Sequence, residues 1–209
     1  LRHQILTEIE SADRIDVVMA FIRRSGTRPF IGALAKHCAE GRPLRILTTA
    51  YTGSTEKSAL EELQNLGADI CVSYDTTSTR LHAKAWVFIR ETGYSTAYVG
   101  SSNLTHSAQM SGLEWNVRVS EARNPDVLEK ISAVFSSYWE SRDFEAFDPA
   151  DFEARTRTAP GGPATLLAPI ELRLEPFQER LLEEVEVARE GGRHRNLLVA
   201  ATGTGKTVM

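Results

Sequence analysis

Three short apolar runs rich in β-branched residues, "IDVVMAFI" at 15–22, "LRILTTA" at 44–50 and "DICVSY" at 69–74, alternate with segments of helical period. Short β-branched runs read as buried strands. Between them, Leu1 to about Ala12 sets Ile5, Leu6 and Ile9 on one helical face, and "RPFIGALAKHCAEG" is a helix closed by Gly41. "STEKSALEELQNLG" is a third, with Ser54 or Thr55 as its cap and Gly67 as its end. Helix and strand in alternation restrict the chain to an α/β layered fold, because each strand must be covered by its neighbouring helices.

After Asp75 the rhythm changes. "HAKAWVFI" and "STAYVGS" are strand-like and joined by "RETGY", which suits a hairpin, and "GLEWNVRVS" is a further strand. A helix from about Pro125 to Ser141 presents Val127, Leu128, Ile131, Val134, Phe135 and Tyr138 as an apolar stripe. Beyond Phe144 the sequence turns acidic and then Pro- and Gly-rich in "TAPGGPATLLAP". Three parts are therefore expected: a domain over 1–145, a linker over 146–171 and the start of a second domain over 172–209, in which a helix, "EPFQERLLEEVEVAREGG", precedes a strand, "RNLLVAA", and a Gly-rich turn.

Composition narrows the function classes. The chain has 209 residues, 42% hydrophobic and 25% charged, with no apolar run near the ~18 residues a membrane span needs, so no membrane role is expected. A net charge of -4 gives nothing in favour of nucleic-acid binding through bulk charge, leaving local clusters such as Arg23, Arg24, Arg28 and Arg80, which serve equally well as a solvated face. Cys38 and Cys71 have neither metal-ligand spacing nor a disulfide framework, and are expected as core thiols of a cytoplasmic protein. With no initiating Met and an end two residues past Thr207, the chain is expected to be a piece of a longer protein.

The chemistry concentrates in the hairpin. Strand residues two apart share a face, so in "RLHAKAWVF" His82 and Lys84 project together while Ala83 and Ala85 face away. In "VGSSNLT" Gly100 permits close backbone approach, and Ser101, Ser102 and Asn103 supply hydroxyl and amide donors for an oxyanion. Glu114, just inside the next strand, can fix an imidazole tautomer and support its cation. A titratable imidazole, a lysine and a carboxamide are what attack on a phosphodiester needs. His3, His37, His106 and His194 lack such company and are read as structural, although His106 sits close enough to Asn103 to line the cleft.

Together "LHAKAWVF", "YVGSSNLT" and "GLEWNV" resemble the phospholipase D superfamily signature, H-x-K followed by G-S-x-N, and in particular its single-motif nucleases, over roughly the first 145 residues. The resemblance implies a mixed β-sheet flanked by helices and no metal or cofactor in the nuclease site. It implies that His82 forms a phosphohistidine, that Lys84 and Asn103 hold the phosphate, and that Ser101 adds a hydrogen bond. Glu114, eleven residues after Asn103, falls at the family's glutamate position. Single-motif relatives build the site on a two-fold axis, so a homodimer is implied, with the second subunit's histidine protonating the leaving oxygen. One departure stands out: the family's acidic residue five positions after the lysine falls on Ile89, which bears on the stability of the turn.

The last forty residues carry a second pattern. "AATGTGKT" is close to the phosphate loop G-x-x-x-x-G-K-[ST], with Ala200 in place of the first glycine. Backbone amides of Gly203, Thr204 and Gly205 can cradle phosphates, Lys206 can reach the terminal ones, and Thr207 can ligate magnesium. "LRLEPFQ" resembles the adenine-recognition element of superfamily 2 helicases, DEAD/DEAH and restriction-type, with Phe177 stacking near the base and Gln178 reading its edge. The expected whole is a DNA-directed nuclease domain fused to a truncated P-loop helicase domain, which would use ATP and Mg only when complete. The competing class is a catalytically inactive DNA-binding module of the helicase; a lipid or small phosphodiester hydrolase ranks below it.

Overall fold

The three β-branched runs lie side by side as strands β1 (Arg14–Met19), β2 (Leu44–Thr49) and β3 (Asp69–Ser73), parallel and in register from Ile15 opposite Leu44 and Ile46 opposite Ile70. The computed structural model describes residues 2–50, 55–75, 81–104 and 115–158. On the other side of β1 the sheet continues antiparallel through β4 (Lys84–Ile89), β5 (Thr96–Gly100) and β6 (Asn116–Ser120). A two-residue strand β7 (Glu145–Ala146) pairs with β3, giving seven strands in the order β6-β5-β4-β1-β2-β3-β7. The expected mixed sheet is what forms.

Helices cover both faces. On one, α1 (Arg2–Ser11), α3 (Ile31–Ala39) and α4 (Lys57–Asn65) contribute Ile5, Ile9, Leu34, Leu60 and Leu63 to a core with Ile15, Val17, Ile46, Trp86 and Phe88. A single turn, α2 (Arg24–Thr27), follows β1. On the other face lies α5 (Pro125–Trp139), whose Phe135 packs on Val18 and Leu47 and whose Leu128 packs on Val87 and Ala97. Asp16, buried on this face, takes two 2.8 Å hydrogen bonds from Arg45, whose guanidinium stacks 4.8 Å from the Phe135 ring centre. No described helix is long and apolar enough to cross a membrane.

Three local expectations differ from what forms. Thr55 does not cap α4: its hydroxyl donates to the Thr49 carbonyl at 2.8 Å, joining the helix entry to the end of β2, and the residue at the cap position is Glu56. Ser54 lies outside the described residues. The stripe of α5 is covered only along its middle, since Val127, Val134 and Tyr138 remain 38%, 50% and 39% exposed. Within the segment 146–171 that composition assigns to a linker, the last residue of β7 and helix α6 (Pro149–Thr158) are folded. Phe147 and Phe152 bury their rings edge to face, supplying the apolar anchors that the acidic surroundings hide from a periodicity count. Contacts group Leu1–Leu166 into one compact unit; the second, Leu167–Met209, lies outside the described residues.

A buried carboxylate ties α1 to the antiparallel half of the sheet. Glu8, 8% exposed, accepts from Arg90 Nη2 at 2.6 Å, Thr96 Oγ1 at 2.8 Å, the Tyr98 hydroxyl at 3.0 Å and Arg118 Nε at 3.2 Å. Burial pushes its pKa up, but the hydrogen bonds from Thr96, Arg90 and Tyr98 and the charge of Arg90 outweigh it, and the carboxyl titrates below the ordinary glutamate value.

Candidate active site

The site forms at the end of the sheet where β1 stops, β4 starts and β5 stops. β1 and β4 are antiparallel with Met19 opposite Lys84, so the lysine enters the sheet at this edge. Continuing the β4–β5 register sets Lys84 opposite Gly100, which pairs with Asn116 of β6. Met19, Lys84, Gly100 and Asn116 thus form one row. Gly100 is required there: a Cβ would fall 2.1 Å from the Trp115 carbonyl oxygen and 2.5 Å from Asn116 Oδ1. Its absence lets Asn116 lie over the strand and donate from Nδ2 to the Ser102 hydroxyl at 2.7 Å.

His82 and Lys84 come together as expected from their spacing. Lys84 Nζ lies 3.1 Å from His82 Nδ1 and 3.3 Å from Nε2, and donates to the His82 carbonyl at 2.6 Å. An ammonium can only donate, so the contact calls for an unprotonated ring nitrogen. The surroundings favour that state. Partial burial and then the positive charge of Lys84 both lower the His82 pKa, although the residue remains exposed. Lys84 itself is 4% exposed, its stem held within the sheet.

Asn103 is positioned by the end of β1. Its Oδ1 accepts from the Phe21 backbone N–H at 3.2 Å, and the adjoining residues lock the same junction: Ile22 bridges Leu104, and Arg23 N–H donates to the Leu104 carbonyl at 2.9 Å. With the oxygen turned to backbone, the amide N–H2 is the end left to donate to a substrate oxygen. Ser101 stands across from Trp115. Its hydroxyl accepts from the Trp115 N–H at 3.1 Å, and its own N–H donates to the Trp115 carbonyl at 3.0 Å. Glu114 lies outside the described residues, as do Phe177, Gln178, Gly203, Thr204, Gly205, Lys206, Thr207 and His106. His37 is buried, with Nε2 on the Pro43 carbonyl at 3.1 Å, in keeping with a structural role.

Asn116 and the backbone of Phe21 are site-building groups that the sequence reading passed over, whereas Ser102, read as an oxyanion donor, accepts from Asn116. Asn116 was findable, since it stands two residues after Glu114 and strand residues two apart share a face. A cleft of about 190 Å³ also adjoins His82, lined by Leu81 and Ala83, by Tyr138 in the last turn of α5 and by Phe144 beyond it. No sequence signal announced it, because its walls come from distant segments. Among the described residues no cluster of three or more His, Cys, Asp or Glu is gathered for a metal ion.

Ile89 resolves the departure noted in the sequence. It packs beside the cluster of Val87, Ala97 and Leu128, and its carbonyl accepts from Asp13 N–H at 2.9 Å. Acids from elsewhere hold the following turn: Asp13 Oδ2 accepts from Glu91 N–H at 2.8 Å and Glu121 Oε2 from Ser95 N–H at 3.0 Å. Gly93 supplies the left-handed residue, with φ +80°. These hydrogen bonds hold the turn without an acid at 89.

Comparison with known proteins agrees with this geometry. The family model described as cardiolipin synthase, PLD-like domain, matches residues 5–139. The model of the type III restriction enzyme, res subunit, matches residues 171–209. No curated protein sequence is similar enough to count as a match. Among solved structures, a phospholipase D family member, Nuc from Salmonella typhimurium, is 20% identical with a TM-score of 0.53, the alignment covering 70% of this chain and 90% of that one. NucT from Helicobacter pylori is 12% identical with a TM-score of 0.54, covering 69% of this chain and 89% of that one. At these identities the likeness speaks for the fold. With the matching sheet, the His82–Lys84 pair at its edge and a family model spanning most of the described residues, the chain belongs to the phospholipase D-like family.

Proposed function

We propose that the domain cleaves phosphodiester bonds of nucleic acid, DNA in the first instance, through a phosphohistidine and without a metal ion. The observation that carries this is the contact of Lys84 Nζ with both ring nitrogens of His82 at the sheet edge. An imidazole nitrogen of His82 attacks phosphorus, forming the P–N bond as the P–O bond to the departing strand breaks. Lys84 and the Asn103 amide hold the non-bridging oxygens, Ser101 adds a hydrogen bond and Glu114 orients the ring. A second histidine donates a proton to the leaving oxygen. It then takes a proton from water, which attacks phosphorus and releases His82.

That second histidine comes from another copy of the chain. On the α5-facing side of the sheet, beside Ser101, Val99, Trp115 and Val117 are 39%, 84% and 62% exposed, a patch of the kind that packs against a partner. Charging it with Trp115→Glu and Val117→Glu is expected to convert a dimer at micromolar concentration to a monomer and to lower cleavage at least tenfold. Sedimentation would decide: a monomeric wild type rules out the shared site.

The segment matched at 171–209 supports a helicase continuing from this domain, with Phe177 and Gln178 on adenine, Gly203 to Lys206 on the phosphates of ATP and Thr207 on Mg. A nucleic-acid motor beside the site favours nucleic acid over lipid, and two free cysteines suit a cytoplasmic setting.

Labelled single- and double-stranded DNA, incubated in EDTA with the wild type and with His82→Ala, tests the activity. Cleavage by the wild type alone supports the enzyme; tight binding without cleavage assigns the domain to DNA gripping instead. The pH profile adds a second check. Because the pKa of His82 is lowered, the attacking form persists into mildly acid solution, and the acid limb is expected below the ordinary imidazole value of about 6.5. The donor histidine must be protonated, so the rate falls again toward high pH. A flat profile from about pH 5 to about pH 9 would contradict paired histidines.

A further inference from the structure

Resting on the phosphodiesterase reading, we infer that the cleft beside His82 is a pocket for one unpaired, amino-bearing nucleobase, cytosine above all, on the nucleotide next to the scissile phosphate. The cleft is lined by His82 and Leu81 together with Tyr138, Ser141, Asp143 and Phe144. Its volume, about 190 Å³, is below the ~300–1,000 Å³ typical of drug-sized sites and suits a single planar heterocycle.

Two features set the chemistry. The Tyr138 and Phe144 rings stack with centres 6.1 Å apart and an interplanar angle of 25°, and Tyr138 stays 39% exposed. An aromatic surface beside a phosphate-cleaving centre is a platform on which a base stacks. At the same end, the Ser141 hydroxyl donates to Asp143 Oδ2 at 3.0 Å and accepts from the Asp143 N–H at 3.2 Å, fixing the carboxylate on the cleft wall.

A carboxylate repels phosphate, so this end of the cleft does not continue the backbone track. It accepts hydrogen bonds, and aspartate or glutamate pairs with the N4 amino group of cytosine. Thymine has no amino group to offer. In a duplex each base is stacked between neighbours, so a base entering the cleft must be unpaired or turned out of the helix. The pocket therefore selects single-stranded or locally opened DNA with cytosine beside the cut.

The test uses an oligothymidine strand and the same strand with one central dC, each with a fluorescent end label. Cleavage is read with the wild type, and binding with His82→Ala protein. The dC strand is expected to bind about tenfold more tightly and to be cut mainly beside dC, the size of one good base contact. Asp143→Ala should bring the dC to dT ratio near one, and Tyr138→Ala should weaken binding of both strands about tenfold. The ratio is internal to each protein, so partial misfolding does not mimic its loss.

Hydrolysis of bis(p-nitrophenyl) phosphate, which carries no base, reports the chemistry separately. Equal handling of the two strands by a protein that hydrolyses this ester overturns the pocket alone. A preserved dC preference in binding without hydrolysis of the ester keeps the pocket and retires the nuclease reading. Loss of both overturns both.

Discussion

His82→Ala is expected to lower phosphodiester cleavage by about four orders of magnitude, because in the mechanism proposed above the variant would lack the atom that bonds to phosphorus. Lys84→Ala should cost less, about 10²- to 10³-fold, the range for removing one group that stabilises charge in a transition state. The two losses are not additive. Lys84 touches both nitrogens of the His82 ring, so under the proposed mechanism it would orient the nucleophile as well as bind phosphate, and the double variant should be little worse than His82→Ala. Rates on single-stranded DNA, with binding measured in parallel, separate loss of chemistry from loss of substrate.

Glu8→Ala is expected to destabilise the domain by about 3–5 kcal/mol, the usual cost of removing one member of a buried ion pair. It strands Arg90, whose side chain is 11% exposed, and leaves Thr96 and Tyr98 without their acceptor carboxylate. Glu8→Gln keeps the shape and loses the charge, so it should cost less. The pH dependence has a definite sign. The folded-state pKa of Glu8 lies below its unfolded value, about 4.3, so its contribution is complete above that value and is lost as pH falls through the folded-state pKa. Denaturant titrations over that acid range should show a shallower loss of stability for Glu8→Gln than for the wild type. An equal slope would mean that this carboxylate does not govern the acid limb.

Much of the sheet was legible because its signals are local. Three β-branched runs between amphipathic helices define β1 to β3, and a short loop with glycine gives the β4–β5 hairpin. Spacing brought His82 and Lys84 together in the sequence reading, although β4 begins only at Lys84 and His82 precedes the strand. What escaped depends on contacts between distant residues. Thr55 reaches back to Thr49 rather than capping its helix, and Asn103 is set by the backbone of Phe21, eighty-two residues earlier. The partners of Glu8 come from Arg90 just past β4 and from β5 and β6, contacts that no local pattern announces. The segment after Phe144 read as linker because two phenylalanines among acids give no period, although both are buried. At Ile89 the motif predicts an acid, and the turn finds its acids in Asp13 and Glu121 instead.

The decisive measurement is to capture the covalent intermediate. Rapid acid-free quenching of the wild type with an end-labelled DNA substrate in EDTA, followed by denaturing separation and peptide mapping, should recover label on His82 as an acid-labile, base-stable adduct. The label should be absent from His82→Ala. Cleavage that proceeds with no adduct at any time point, or with label on a residue other than His82, would contradict nucleophilic attack by this histidine.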